Sequence, residues 1–154
     1  MYKKLAIFSI LFIFIDQLSK GLVNLYMNLN ESITLIPNFF NLTYVHNTGA
    51  AFSILSGSRW LFIIITIIAL NIIYIFFIKD KELKKMEIII YSLLLGGIIG
   101  NLIDRVLYGY VLDFLDFTIF GYDFAIFNLA DSFIVIAVIL LLFMMLGEKK
   151  CKNI

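Results

Sequence analysis

Apolar positions in this chain fall into four long runs, separated by two long mixed segments and one short charged one. The runs, at about residues 5–26, 60–78, 88–107 and 129–146, each approach the ~20 residues a helix needs to cross ~30 Å of hydrocarbon. The second is the cleanest, broken only by Thr66 and Asn71. Residues 79–87 make a short charged turn, whereas residues 27–59 and 108–128 leave two long connections on the opposite side. Within the first of these, ITLIPNFFNLTYV (33–45) is rich in β-branched and aromatic residues and partly alternates. That pattern predicts short strands with a turn at Pro37-Asn38. The fold class that follows is all-α integral membrane: a four-helix transmembrane bundle with a small β-rich part on one side. Connections this long are uncommon without structure of their own and are often functional, so function is expected on that side.

Composition and charge give the setting. Of 154 residues 62% are hydrophobic and 15% charged, outside the soluble balance, and the length suits a single membrane-embedded domain, 1–154. Lys3 and Lys4 precede the first span, Lys79, Lys81, Lys84 and Lys85 lie between the second and third, and Lys149, Lys150 and Lys152 follow the fourth. Four crossings put all of them on one side, which the positive-inside rule makes cytoplasmic. Both termini are expected inside and both long connections outside. The apolar start resembles a secretory signal, but no small-x-small cleavage site follows, so it reads as a retained first span. A net charge of +1 gives no electrostatic case for nucleic acid. One histidine, His46, and one cysteine, Cys151, leave no metal-ligand cluster and no internal disulfide.

Five polar motifs interrupt the hydrocarbon: Asp16-Gln17-Leu18-Ser19-Lys20, Asn47-Thr48-Gly49-Ala50-Ala51-Phe52, Gly100-Asn101-Leu102-Ile103-Asp104-Arg105, Val111-Leu112-Asp113-Phe114 and Phe127-Asn128-Leu129-Ala130-Asp131-Ser132. At 1.5 Å per residue, Asp16 lies roughly 18 Å above Lys4, Asn101 roughly 21 Å above Glu87, and Asp104 and Asp131 roughly 26 Å above Glu87 and Glu148. All four fall in the outer part of the core, where antiparallel neighbours can bring them together. Ionisable groups in hydrocarbon persist where they pair, meet water or do work.

Each motif also has a structural reading. Asp16 and Lys20 are spaced i,i+4 and can form an ion pair. Ser19-Lys20 makes a poor serine–lysine dyad, because adjacent helical positions point about 100° apart. Asn101 can reach Asp104 or Arg105 on its own helix, and Gly96 and Gly100 form a small-xxx-small face. Asn71 reads as an interhelical hydrogen bond, Trp60, Tyr108 and Tyr110 as an interfacial belt, and His46 as a polar contact beside a turn at Asn47 to Gly49. Asn128 and Asp131 have the spacing of a helix cap. The functional alternative is a carboxyl pair sharing one proton, one acid polarising a carbonyl while the other activates water. Asp104, Asp113 and Asp116 are the candidate partners of Asp131, and spacing does not choose among them. Asn47 and Arg105, donors at the outer rim, are expected to hydrogen-bond the backbone of an extended peptide. The rival functions are a proton-coupled transporter, which lacks a polar path to the inner side, and a non-catalytic assembly subunit, which leaves the acids unexplained.

Taken in order, the five motifs resemble those of the bacterial lipoprotein signal peptidase, or signal peptidase II, over almost the whole chain. The resemblance implies a membrane aspartic endopeptidase that removes the signal peptide from a prolipoprotein, cutting just before a cysteine that carries diacylglycerol. It implies Asp113 and Asp131 as the catalytic pair. Asp16, Lys20, Asn47, Gly97, Asn101, Asp104, Arg105, Asn128 and Ala130 match positions that shape the site or hold substrate. Leu112 stands where valine is common in the family. A surface sheet, or cradle, is also implied, in agreement with the strands read in the first connection. The expected setting is the bacterial inner membrane, with the active site near the outer leaflet. Diacylated prolipoprotein and membrane lipid are the expected partners, a monomer the expected state, and no metal or other cofactor is expected.

Overall fold

A computed structural model describes residues 1–49 and 55–152, with side chains described as far as residue 146. Ala50, Ala51 and Phe52 of the second motif lie outside the described residues. The four apolar runs form α1 (Tyr2–Tyr26), α2 (Arg59–Ile73), α3 (Lys85–Leu107) and α4 (Leu129–Lys152), with one π-helical turn, Tyr74–Ile78, prolonging α2. All four are long and apolar enough to cross a membrane, and the protein is a multi-pass membrane protein.

Burial separates the helices. In α3, 56% of the spanning window is buried inside the protein, against 11% in α2 and in α4, so α3 is the central helix. Its glycines are the reason. A Cβ on Gly96 would stand 2.6 Å from Phe12 Cβ, and one on Gly100 would stand 2.6 Å from Asp16 Oδ2. On Gly97 it would stand 2.4 Å from the Ala130 carbonyl oxygen. Gly96 and Gly100 therefore admit α1, while Gly97, about 100° further round, admits α4. Asn71 does not bridge helices as its composition suggested. It is exposed on α2 and donates back to the Ile67 carbonyl at 2.8 Å, which satisfies an amide that faces lipid.

Four antiparallel strands stand beyond the helix ends: β1 (Ser32–Ile36), β2 (Phe40–Asn47), β3 (Val111–Ile119) and β4 (Tyr122–Asp123), in that spatial order. The expected turn at Pro37-Asn38 joins β1 to β2, with Asn38 at a φ of 60° and Phe39 N–H bonded to the Ile36 carbonyl. β3 lies in the second connection, where no strand was expected. Its partner is β2, far upstream, so pairing completes what local pattern leaves open. β2 carries one extra residue between the pairs Leu42–Leu115 and Val45–Asp113. Thr43 and Tyr44 take up the bulge and both turn away from Asp113, Thr43 towards Asp116 and Tyr44 towards Asn24 of α1. Leu42 and Val45 thereby stay on the Asp113 face. Val23, Met27, Tyr44, Leu112 and Phe114 form the apolar cluster that fastens the sheet to α1.

Candidate active site

Two sets of acids meet where α1, α3 and α4 approach the sheet. In the first, Lys20 Nζ lies 2.8 Å from Asp16 Oδ2, 2.8 Å from Asp104 Oδ2, and donates to Asn101 Oδ1 at 3.1 Å. Lys20, Asp16 and Asp104 are all buried. The i,i+4 pair read from the sequence is thus joined by a third group from α3. Asp16 Oδ1 accepts the Ala130 N–H at 2.9 Å. This amide belongs to the first turn of α4, where free N–H groups and the helix dipole favour a negative charge. Asp104 Oδ2 also accepts the N–H of Leu112 at 3.2 Å, which fixes the backbone one residue before Asp113.

Gln17, given no role by the sequence reading, donates to Asp104 Oδ1 at 2.9 Å and reaches Asp16 Oδ2 and the Gly100 carbonyl, each at 3.2 Å. The available signal was a long amide beside a buried acid on a spanning helix, a group that hydrocarbon cannot satisfy.

The second set is held by amides. Asp113 Oδ2 accepts Asn47 Nδ2 at 2.9 Å, and its Oδ1 accepts Asn128 Nδ2 at 2.7 Å. Asp131 Oδ1 accepts Asn101 Nδ2 at 2.7 Å, and its Oδ2 accepts the Asn128 N–H at 3.3 Å. Asn128 Oδ1 in turn accepts the Asp131 N–H at 3.0 Å. These reciprocal bonds are a helix cap, yet the same Asn128 also holds Asp113, so cap and candidate pair are one structure. The chain arrives in register because Phe127 bridges to Leu115 of β3 immediately before α4 begins.

Asp113 and Asp131 line a cavity of about 200 Å³ together with Asn47, Asn101, Arg105 and Phe127. Of the three candidate partners for Asp131, Asp104 is bound to Lys20 and Gln17, and Asp116 to Thr43 on the sheet. Asp113 is the one that shares the cavity. Burial, followed by the charge of Asp131, raises the Asp113 pKa from 3.8 to about 7. Hydrogen bonds from Asn47 and Asn128, and the Lys20 charge, oppose that rise. Asp113 therefore keeps its proton well above the ordinary carboxylate range.

Other expectations are met differently. Asn101 turns from Asp104 and Arg105 on its own helix and reaches Lys20, Asn128 and Asp131 across the helix interfaces. Helix packing outcompetes spacing here, because charged partners from α1 and α4 converge on it. Asn47 accepts the Gly49 N–H at 2.9 Å, closing the expected turn, while its amide holds Asp113. Arg105 lies over the Phe62 ring and donates to the Gly49 carbonyl at 3.3 Å. His46 stacks on Tyr110 with ring centres 3.6 Å apart and bonds the Tyr44 hydroxyl at 2.9 Å. Burial lowers its pKa. Tyr110 is consequently part of the sheet's packing, whereas Trp60 and Tyr108 remain exposed.

Known proteins are similar to this chain in sequence and fold. The family profile described as Signal peptidase (SPase) II matches residues 8–147. A lipoprotein signal peptidase of Staphylococcus aureus (strain MRSA252) is 45% identical over 149 residues, covering 97% of this chain and 90% of that protein. The same identity and coverage hold for the protein named so in strain JH9. Two solved structures, both described as bacterial membrane enzymes, share the fold. One has a TM-score of 0.88 at 43% identity, covering 96% of this chain and 90% of the other. The second has a TM-score of 0.82 at 44% identity, covering 92% of each. With four spanning helices, the strands above them and a near full-length match in sequence and fold, this chain belongs to the signal peptidase II family.

Proposed function

We propose that the protein removes the signal peptide from diacylglyceryl-modified prolipoproteins, cutting just before the lipidated cysteine, with Asp113 and Asp131 as its catalytic pair. One observation carries this reading: two acids held by amides, neither of them in a salt bridge among the described residues, line a single cavity. In the proposed step, protonated Asp113 hydrogen-bonds the scissile carbonyl oxygen while Asp131 takes a proton from water. The water oxygen bonds to the carbonyl carbon, the C–N bond breaks, and the departing nitrogen receives a proton from the pair. No covalent intermediate with the enzyme forms.

The remaining residues have supporting roles in this reading. Asn47 and Asn128 orient Asp113, and Asn101 and Asn128 orient Asp131. Asp16, Lys20 and Asp104 lock α1, α3 and the start of β3 together, and Gly97 lets Ala130 approach. Arg105 has N–H groups beyond the one bonded to Gly49, and these suit a substrate carbonyl. The Asn47 amide serves Asp113 first and substrate second. The lysine distribution supports cytoplasmic termini in the bacterial inner membrane, a site near the outer leaflet, and acyl chains lying between helices towards lipid.

The test is cleavage of a synthetic diacylated lipobox peptide in liposomes, with products identified by mass spectrometry. The expected product begins at the lipidated cysteine, and the peptide without lipid stays whole. Equal cleavage of the unlipidated peptide, or a cut elsewhere, would refute the proposed specificity.

A further inference from the structure

The sheet has two chemically distinct faces. Ser32, Thr43 and Asp116 share one face and bond to each other, at 2.8 Å between Ser32 and Thr43 and 2.6 Å between Thr43 and Asp116. The opposite face, that of Asp113, carries Ile33, Phe40, Leu42, Leu115 and Phe117. Three short connections, residues 27–31, 108–110 and 124–128, tie the sheet to the ends of α1, α3 and α4. The sheet therefore sits at the level where the helices leave the hydrocarbon. β3 is buried over residues 111–114 and only half-buried over 115–119, so its far end runs ~16 Å past the bundle at ~3.3 Å per residue. Both hairpin turns lie at that far end, where the Phe39 carbonyl accepts the Thr118 N–H.

The β3–β4 turn is unusual in its chemistry. Phe120 and Gly121 join the paired residues Ile119 and Tyr122, with φ of 52° and 80°. Positive φ at both central positions is the geometry for which Asn-Gly or Gly-Gly is preferred. A bulky residue there is strained, and strain persists where something else over-determines it. Packing within the chain does not compensate, since Phe120 is 98% exposed and Tyr122 is 77% exposed. Ile36 and Phe39 at the neighbouring turn are exposed as well.

We propose that Phe120 and Tyr122 enter the headgroup–acyl boundary of the adjoining leaflet and make this hairpin a lipid anchor for β3. Lipid is the occupant because exposed apolar residues run from the end of α1 along β1, through Ile33, Leu35 and Ile36, to Phe39, which bonds Thr118 beside this turn. Leu25 and Tyr26 are exposed at the end of α1, and Leu29 carries that surface on to β1. The strands also contain no lysine or arginine, and Asp123 is bonded to Thr118 on the polar face. Because β3 carries Asp113, the leaflet holds the far end of the strand whose near end faces the cavity. This inference rests on the membrane fold and not on the peptidase reading.

Trp60 is the single tryptophan, so Phe120→Trp in a Trp60→Phe background makes the turn the only indole reporter. The full chain is reconstituted in phosphatidylglycerol–phosphatidylethanolamine vesicles with bromine placed high on the acyl chains. The expected result is strong quenching by bromolipid and little by aqueous iodide. Iodide quenching without bromolipid quenching would put the tip in water and overturn the proposal. Shielding from both quenchers that rises with protein density would mean a second copy covers the tip, and would also overturn it. Phe120→Asn suits the turn geometry and keeps the hairpin. With Tyr122→Trp as reporter in the same Trp60→Phe background, Phe120→Asn should restore iodide access, and continued shielding would count against Phe120 as the anchor.

Discussion

Two acid sets meet through Asn101 in this protein and face opposite conditions. Asp16 and Asp104 each contact the Lys20 ammonium at 2.8 Å, and both are spent on structure, one on a helix start and one on the backbone before Asp113. Asp113 and Asp131 are held by neutral amides and open onto a cavity. A buried acid paired to a cation is held by that contact and fixes geometry. An acid oriented by amides and placed near another acid keeps its proton into the neutral range and can exchange it. The difference is chiefly in the partner, since Asp16, Asp104 and Asp113 are all buried and Asp131 is half-buried.

The largest effect should come from breaking the paired set. Lys20→Met leaves two buried carboxylates without their cation and should cost about 3–5 kcal/mol in unfolding experiments in micelles. A loss below about 1 kcal/mol would mean the ion cluster is dispensable. The amide-held set should instead show itself in pH dependence. Folding raises the Asp113 pKa from 3.8 to about 7, so the native state binds that proton more tightly than the unfolded chain. Its contribution to stability is complete below about 3.8 and is lost as pH rises through about 7. Unfolding measured from pH 4 to 8 should show wild type losing stability relative to Asp113→Asn, and parallel curves would contradict the shift. A smaller effect is expected at the α3–α4 contact that brings the sets together. Gly97→Leu, whose Cβ meets the Ala130 carbonyl, should cost about 1–3 kcal/mol, whereas Gly21→Ala, with open space around it, should not. Asn71→Leu lies outside both sets and should change stability by less than about 0.5 kcal/mol.

The parts legible in the sequence are those with local causes. Hydrocarbon length sets the four spans, and the Asp16–Lys20 pair follows from helical spacing. The Pro37-Asn38 turn and the Asn128–Asp131 cap depend on neighbouring residues alone. What the sequence left open depends on contacts between distant segments. That Asp113, and not Asp104 or Asp116, shares the cavity with Asp131 follows from β2–β3 pairing, with the Thr43–Tyr44 bulge keeping Val45 and Leu42 on the Asp113 face. Spacing tied Asn101 to its own helix, yet three partners from other segments claim it. β3 alternates only over residues 116–119, its first six residues repeating apolar-apolar-acid, so without its distant partner the segment reads as part of a connection.

The central claim is that Asp113 and Asp131 do the chemistry while Asp104 supports it. The most direct measurement compares cleavage of a diacylated lipobox peptide by Asp113→Asn, Asp131→Asn and Asp104→Asn, each corrected for its folded fraction. The account predicts that the first two stay folded and lose about 10³-fold or more in kcat, while Asp104→Asn loses stability and cleaves in proportion to what remains folded. Near wild-type turnover by folded Asp113→Asn, or an inactive but fully folded Asp104→Asn, would contradict it.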